Sequence, residues 1–117
     1  MRSVVLLFVL LLSSPSKAEE ACPKYREGCV PLDTFKCETV TRSKVVNRFC
    51  YDPKKRYAIV WLGKKNTPYD YCDVPQDMID KLQAASSMGE LYNKEIRSKP
   101  DGEHGPYDCR DHPRPAY

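Results

Sequence analysis

Hydrophobic and polar positions change period several times along this chain. Val4 to Leu12 is an unbroken apolar run, nine residues long. Residues 19–43 have no clear period. They read as an irregular arm, with one turn of helix expected near Leu32–Phe35. From residue 44 to 51 the apolar positions alternate. Val45, Asn47, Phe49 and Tyr51 fall on one face, and Val46, Arg48 and Cys50 on the other, as a strand requires. Asp52-Pro53-Lys54-Lys55 is a turn. Residues 56–62 give the clearest strand, with Tyr57, Ile59 and Trp61 on one face and Ala58, Val60 and Leu62 on the other. Both faces are apolar, so this strand is expected at the centre of a sheet. Residues 63–68 form a hairpin loop, and residues 69–73 a third strand with Tyr69 and Tyr71 on the same side.

The period then lengthens. Met78, Ile79, Leu82 and Ala85 make an apolar stripe at helical spacing. Asp73 is the expected N-cap, Pro75 suits the first turn, and Gly89 is the expected stop. A shorter helix is expected over 90–97, burying Leu91, Tyr92 and Ile96. Residues 99–106 are loop, and 111–117 a proline-containing tail. The fold class is therefore α+β: a small antiparallel sheet of about three strands, packed against one main helix and a short second helix. The face carrying Tyr57, Ile59 and Trp61 is the expected seat of the helix.

The apolar run at the N-terminus is too short to span a bilayer, which needs about 20 residues. A basic start at Arg2 precedes it and small residues at Ser16 and Ala18 follow it. This is the layout of a secretory signal peptide cut after residue 18. Removing the leader also changes the charge picture. The whole chain is +3, but residues 19–117 hold 17 basic and 16 acidic residues. The net charge of the mature chain is thus no argument for nucleic acid. Its distribution is uneven: residues 36–65 carry nine basic residues against Glu38 and Asp52.

All six cysteines, Cys22, Cys29, Cys37, Cys50, Cys72 and Cys109, lie after the leader. An even count in a short exported chain points to disulfides. Zinc sites favour closer pairs than any found here, so no metal is expected. Sequence leaves the connectivity open. The pairing taken here is Cys22–Cys29, Cys50–Cys72 and Cys37–Cys109.

From Cys50 to Arg97 an ordered set of motifs carries a family resemblance. It comprises Tyr51-Asp52, the apolar strand Ala58 to Leu62, Gly63, Tyr69-Asp70-Tyr71 and Val74-Pro75. Ala85-x-Ser87-x-Gly89 and Asn93-Lys94-Glu95-Ile96-Arg97 complete it. The segment resembles the KTSC domain family, named after the C-terminus of some lysyl-tRNA synthetases, here within a small exported bacterial protein. The cysteines and the longer loop between Gly63 and Tyr69 depart from the bare domain. With the leader at 1–18, the expected organisation is a cysteine-containing arm at 19–43, the KTSC-like domain at 44–98, and a Pro-rich tail at 99–117 tethered by Cys109. The resemblance implies no assigned activity. An RNA-binding role follows only by analogy with the synthetase context.

Chemistry is sparse. His104 and His112 sit in the Pro/Gly-rich tail, and no hydrolase, zinc-protease or phosphate-loop motif occurs. Asp70 and Asp73 are a carboxylate pair near the third strand. No catalytic residue, cofactor or metal is expected, and the chain is read as a non-enzyme. The expectation is an exported binding module in the periplasm, whose partner is another envelope macromolecule. The candidate binding residues are Arg48, Tyr69, Tyr71, Ser87, Asn93 and Arg97, with the sheet face or edge around Arg48, Tyr69 and Tyr71 as the surface. The plainer reading of Ser87, Asn93 and Arg97 is capping, turn bonding and a surface ion pair. The alternatives are RNA or another polyanion on the basic hairpin turns, and a small hydrolase using Ser87 or an aspartate.

Overall fold

The computed structural model describes residues 3–4 and 19–117. Apart from Ser3 and Val4, the expected leader lies outside the described residues. The chain is α+β, as its periodicity predicts. A two-stranded ribbon, β1 (Glu20–Ala21) with β2 (Val30–Pro31), precedes a four-stranded antiparallel sheet. That sheet runs in the order β3 (Lys36–Thr39), β4 (Val46–Asp52), β5 (Tyr57–Leu62), β6 (Thr67–Tyr71). Helix α1 (Gln76–Ala84), the short α2 (Met88–Leu91) and a π-helical turn (Tyr92–Ile96) follow. No described helix is long and apolar enough to cross a membrane.

The sheet is covered on both faces, and the two covers differ. Ala58 and Val60 of β5 pack with Val46, Phe49 and Tyr51 of β4 against Met78, Ile79, Leu82, Met88, Tyr92 and Ile96. A buried side chain such as Leu82, 1% exposed, contributes about 1.5–3 kcal/mol through burial. The helices therefore sit on the Ala58/Val60 face, not on the Tyr57/Ile59/Trp61 face expected from the sequence. The latter face belongs to a second core with Ala21, Val30, Leu32, Phe35 and Cys109. The cysteine-containing arm brings its own apolar residues, Ala21, Val30, Leu32 and Phe35, and these fill that face.

Five further departures have local causes. Strand β3 was not expected, because all four of its residues are exposed and none is a strong apolar marker. A bulge between Val46 and Arg48 shifts the register of β4 and puts Val46 on the same side as Phe49, against simple alternation. Asp73 is not a helix cap. It adopts φ +54°, and its carboxylate meets Arg56 Nε at 3.0 Å, while Pro75 occupies the N-cap position. Gly89 lies inside α2 rather than ending a helix. The Leu32–Phe35 segment is a turn closed by Phe35 N–H on the Leu32 carbonyl at 3.0 Å.

The disulfides are Cys22–Cys29, Cys37–Cys50 and Cys72–Cys109. The first was expected; the other two replace the pairs Cys50–Cys72 and Cys37–Cys109. The unexpected strand β3 explains the change, since it places Cys37 directly opposite Cys50 across the ladder. Cys72 is then left for Cys109, which draws the C-terminal segment to the end of β6. Three disulfides are compatible with an extracellular or periplasmic protein.

Candidate functional site

Strand β6 is an edge of the sheet, and a cavity of about 960 Å³ opens alongside it. Its floor is aromatic. Alternation along β6 sends both Tyr69 and Tyr71 to the helix side. Tyr71 is 8% exposed, and its hydroxyl bonds the Tyr92 hydroxyl, the two rings meeting edge to face with centroids 5.9 Å apart. Burial pushes both phenols up from their ordinary pKa; in the bond between them one hydroxyl donates and the other accepts. Tyr69 is only half-buried. It faces Tyr25, whose ring centroid is 6.0 Å away. Tyr71 is thus core, and Tyr69 is the accessible member of the pair.

Four segments bring polar groups to the same cavity. The β5–β6 turn supplies Lys64 and Lys65, and the β3–β4 connection supplies Lys44. These two segments are held together by Gly63 N–H on the Val45 carbonyl at 3.0 Å and by Asn47 Nδ2 on the Gly63 carbonyl at 2.7 Å. The π-helical turn and the residue after it supply Asn93 and Arg97. Arg97 donates to Asn93 Oδ1 at 3.4 Å, a weak contact one helical turn back. From the C-terminal segment, Arg110 and Arg114 close the far end.

The acids of the cavity are already engaged. Asp70 accepts from Arg114 Nε at 2.7 Å and from the Tyr57 hydroxyl at 2.6 Å. Asp108 accepts from Arg110 Nη2 at 2.7 Å; that guanidinium is the main cause holding the Asp108 carboxyl well below the usual range. Asp70 and Asp73, paired by the sequence reading, therefore serve separate ion pairs.

Four of the six candidate residues meet here: Tyr69, Tyr71, Asn93 and Arg97. Arg48 does not. It sits on the opposite sheet face, where Nη2 donates to Glu19 Oε2 at 3.0 Å and the guanidinium lies 4.9 Å from the Trp61 ring centroid. The expected surface around Arg48, Tyr69 and Tyr71 is thus split between two faces. Ser87 also lies apart from the cavity lining. Its hydroxyl caps α2 by accepting from Glu90 N–H at 3.3 Å. The basic hairpin turns do not form one patch either. Antiparallel order puts Lys54 and Lys55 at one end of the sheet and Lys64 and Lys65 at the other.

Sequence reasoning missed Tyr92 and Tyr25 as site residues. The apolar spacing of Leu91, Tyr92 and Ile96 marked Tyr92 as core. No local signal links Tyr25 to β6; that link is the tertiary bond from Lys24 N–H to the Pro68 carbonyl, at 2.9 Å.

No protein of curated function matches the chain. The crystal structure of a KTSC domain protein from Yersinia pestis matches with a TM-score of 0.50 at 23% identity, covering 56% of this chain and 89% of that one. At that identity the likeness speaks to the fold. The model of the KTSC domain family matches residues 42–99, a span that takes in every motif from Cys50 to Arg97, all of the helical segments and the β6 wall of the cavity. Residues 42–99 of this chain belong to the KTSC domain family.

Proposed function

We propose that the protein is an exported, non-enzymatic binding module of the bacterial envelope, and that the cavity beside β6 is its binding site. One observation carries this reading. Tyr69 and Tyr71 from a strand, and Asn93 and Arg97 from a helical turn, converge on a single cavity of about 960 Å³. That is near the top of the usual range for ligand sites, roughly 300–1,000 Å³. An aromatic floor with a few directed polar groups suits recognition. The serine weighed for hydrolysis is spent on a helix cap, and both candidate aspartates are tied to arginines. The module then works by holding its partner, an envelope macromolecule.

The test is capture from an envelope extract by immobilised, oxidised protein. Material retained by the wild type is expected to be lost with Tyr69→Ala/Arg97→Ala and kept with Arg48→Ala, which alters the opposite face. Circular dichroism establishes that each variant is folded. Equal capture by all three proteins would remove the cavity from consideration.

A further inference from the structure

We infer that the cavity receives an acidic glycan, an inference that rests on the binding-module reading above and names the ligand class for that site. The first argument is charge. Lys44, Lys64, Lys65 and Arg97 all line the cavity, and none has a carboxylate within ion-pair distance among the described residues. The two acids present, Asp70 and Asp108, are neutralised by Arg114 and Arg110. Residues 19–117 as a whole carry 17 basic and 16 acidic residues. Four unmatched cations in one concavity therefore leave the rest of the mature chain net acidic. A concave wall of one sign concentrates the field and attracts an anion. Spread over the β3–β4 connection, the β5–β6 turn and the helical turn, these cations suit a ligand with several charges along its length.

The second argument is the exclusion of a peptide strand. An open sheet edge normally invites strand addition. Here Lys24 N–H already fills the Pro68 carbonyl, and Cys72 N–H already donates to the Tyr107 carbonyl, at 2.9 and 2.8 Å. Pro68 itself has no N–H to offer. The arm and the C-terminal segment plug this edge from both sides, and only the outward backbone groups of Asp70 remain between them.

The third argument separates a sugar from a nucleobase. Base recognition on single strands uses open ring faces for stacking. Tyr71 and Tyr92 are buried edge to face at 79°. The Tyr69 ring is tilted 45° to Tyr25, and the Lys24 ammonium lies 5.9 Å from its centroid. A flat base finds no parallel slot. A pyranose needs only one C–H face against a tyrosine, with hydroxyls taken by groups such as the Asn93 amide and its carboxylate or sulfate by a lysine.

The experiment is calorimetric titration of the full, oxidised chain with an oligogalacturonide. The comparison probes are a neutral galactose oligomer of equal length, polyuridylate and polyglutamate. The oligogalacturonide is expected to bind about tenfold or more tighter than every other probe, and more weakly as salt rises. Lys64→Glu/Lys65→Glu is expected to weaken it about tenfold. Lys36→Glu/Lys54→Glu, the same charge change at the other end of the sheet, is expected to leave it within about twofold. Equal binding of the neutral oligomer, or of either other polyanion, overturns the glycan. If the Lys64/Lys65 variant still loses that probe selectively, the cavity stands as a site. Failure of the oligogalacturonide to bind also overturns the glycan, while the Tyr69→Ala/Arg97→Ala capture result decides the cavity separately. Equal loss in both charge variants overturns the proposal and the cavity together.

Discussion

Tyr69 and Tyr71 sit two positions apart on one strand face, yet they answer to different physics. Tyr71 and Tyr92 satisfy each other's hydroxyl in a buried site. Tyr71→Phe removes one partner and strands the other, at a cost of about 1–3 kcal/mol. Tyr71→Phe/Tyr92→Phe removes both groups, so urea denaturation should find the double variant no less stable than Tyr71→Phe alone. The acids give a pH signature. Arg110 beside Asp108 holds that carboxyl below its ordinary value. Burial pushes Asp52 up, but hydrogen bonds from Tyr117, Lys55, Thr34 and Lys54 outweigh it and leave that carboxyl lowered too. A carboxyl whose folded pKa is depressed contributes its full stability above the unfolded value, about 3.9, and loses it as pH falls toward the folded value. Stability should therefore decline below about pH 4, and Asp108→Asn should flatten that decline. Denaturant midpoints measured from pH 5 down to pH 2 check this.

At the scale of elements, what the sequence discloses depends on whether an element buries anything. Strand β5 was legible because both its faces are apolar, and α1 because Met78, Ile79 and Leu82 recur at helical spacing. Strand β3 was not, since Lys36-Cys37-Glu38-Thr39 buries nothing and is held by its ladder and by the Cys37–Cys50 bridge. The candidate site was half legible for the same reason. Tyr69, Tyr71, Asn93 and Arg97 lie in the third strand and the shorter helix, both of which the sequence pattern marks. Arg48 was misplaced because local alternation cannot say which cover each sheet face receives. The sequence pattern marks Gly89 as a helix stop, but its role is close packing. A Cβ there would sit 3.0 Å from Val45 Cγ2 and 3.1 Å from Val45 Cβ. Gly89→Ala must displace the β3–β4 connection, at a cost of about 1–3 kcal/mol. Gly105→Ala should cost more, because its Cβ would lie 2.6 Å from the Ile96 carbonyl oxygen, and backbone yields less than a side chain. Thermal melts of the two variants give the order.

Across the whole molecule, the segments flanking the family domain build a second core. Leu32 and Phe35 come from the arm. From the other end, Tyr117 packs its ring 5.3 Å from Phe35 and 5.8 Å from Tyr57 and donates its hydroxyl to Asp52 at 2.8 Å. A fragment limited to 42–99 would bare the Tyr57, Ile59 and Trp61 face. It should bind a hydrophobic dye and self-associate in sedimentation, while the full oxidised chain does neither.

The bridges also lie in a simple order along the chain. Each cysteine joins the next one in sequence, and no loop encloses or crosses another. Under the export proposed above, a chain threaded through a membrane N-terminus first presents its thiols in just that succession. An oxidant acting on each pair as it emerges would make every native bond at the first attempt. Oxidative maturation of this protein should therefore proceed without reshuffling, and a disulfide isomerase should add nothing to its yield.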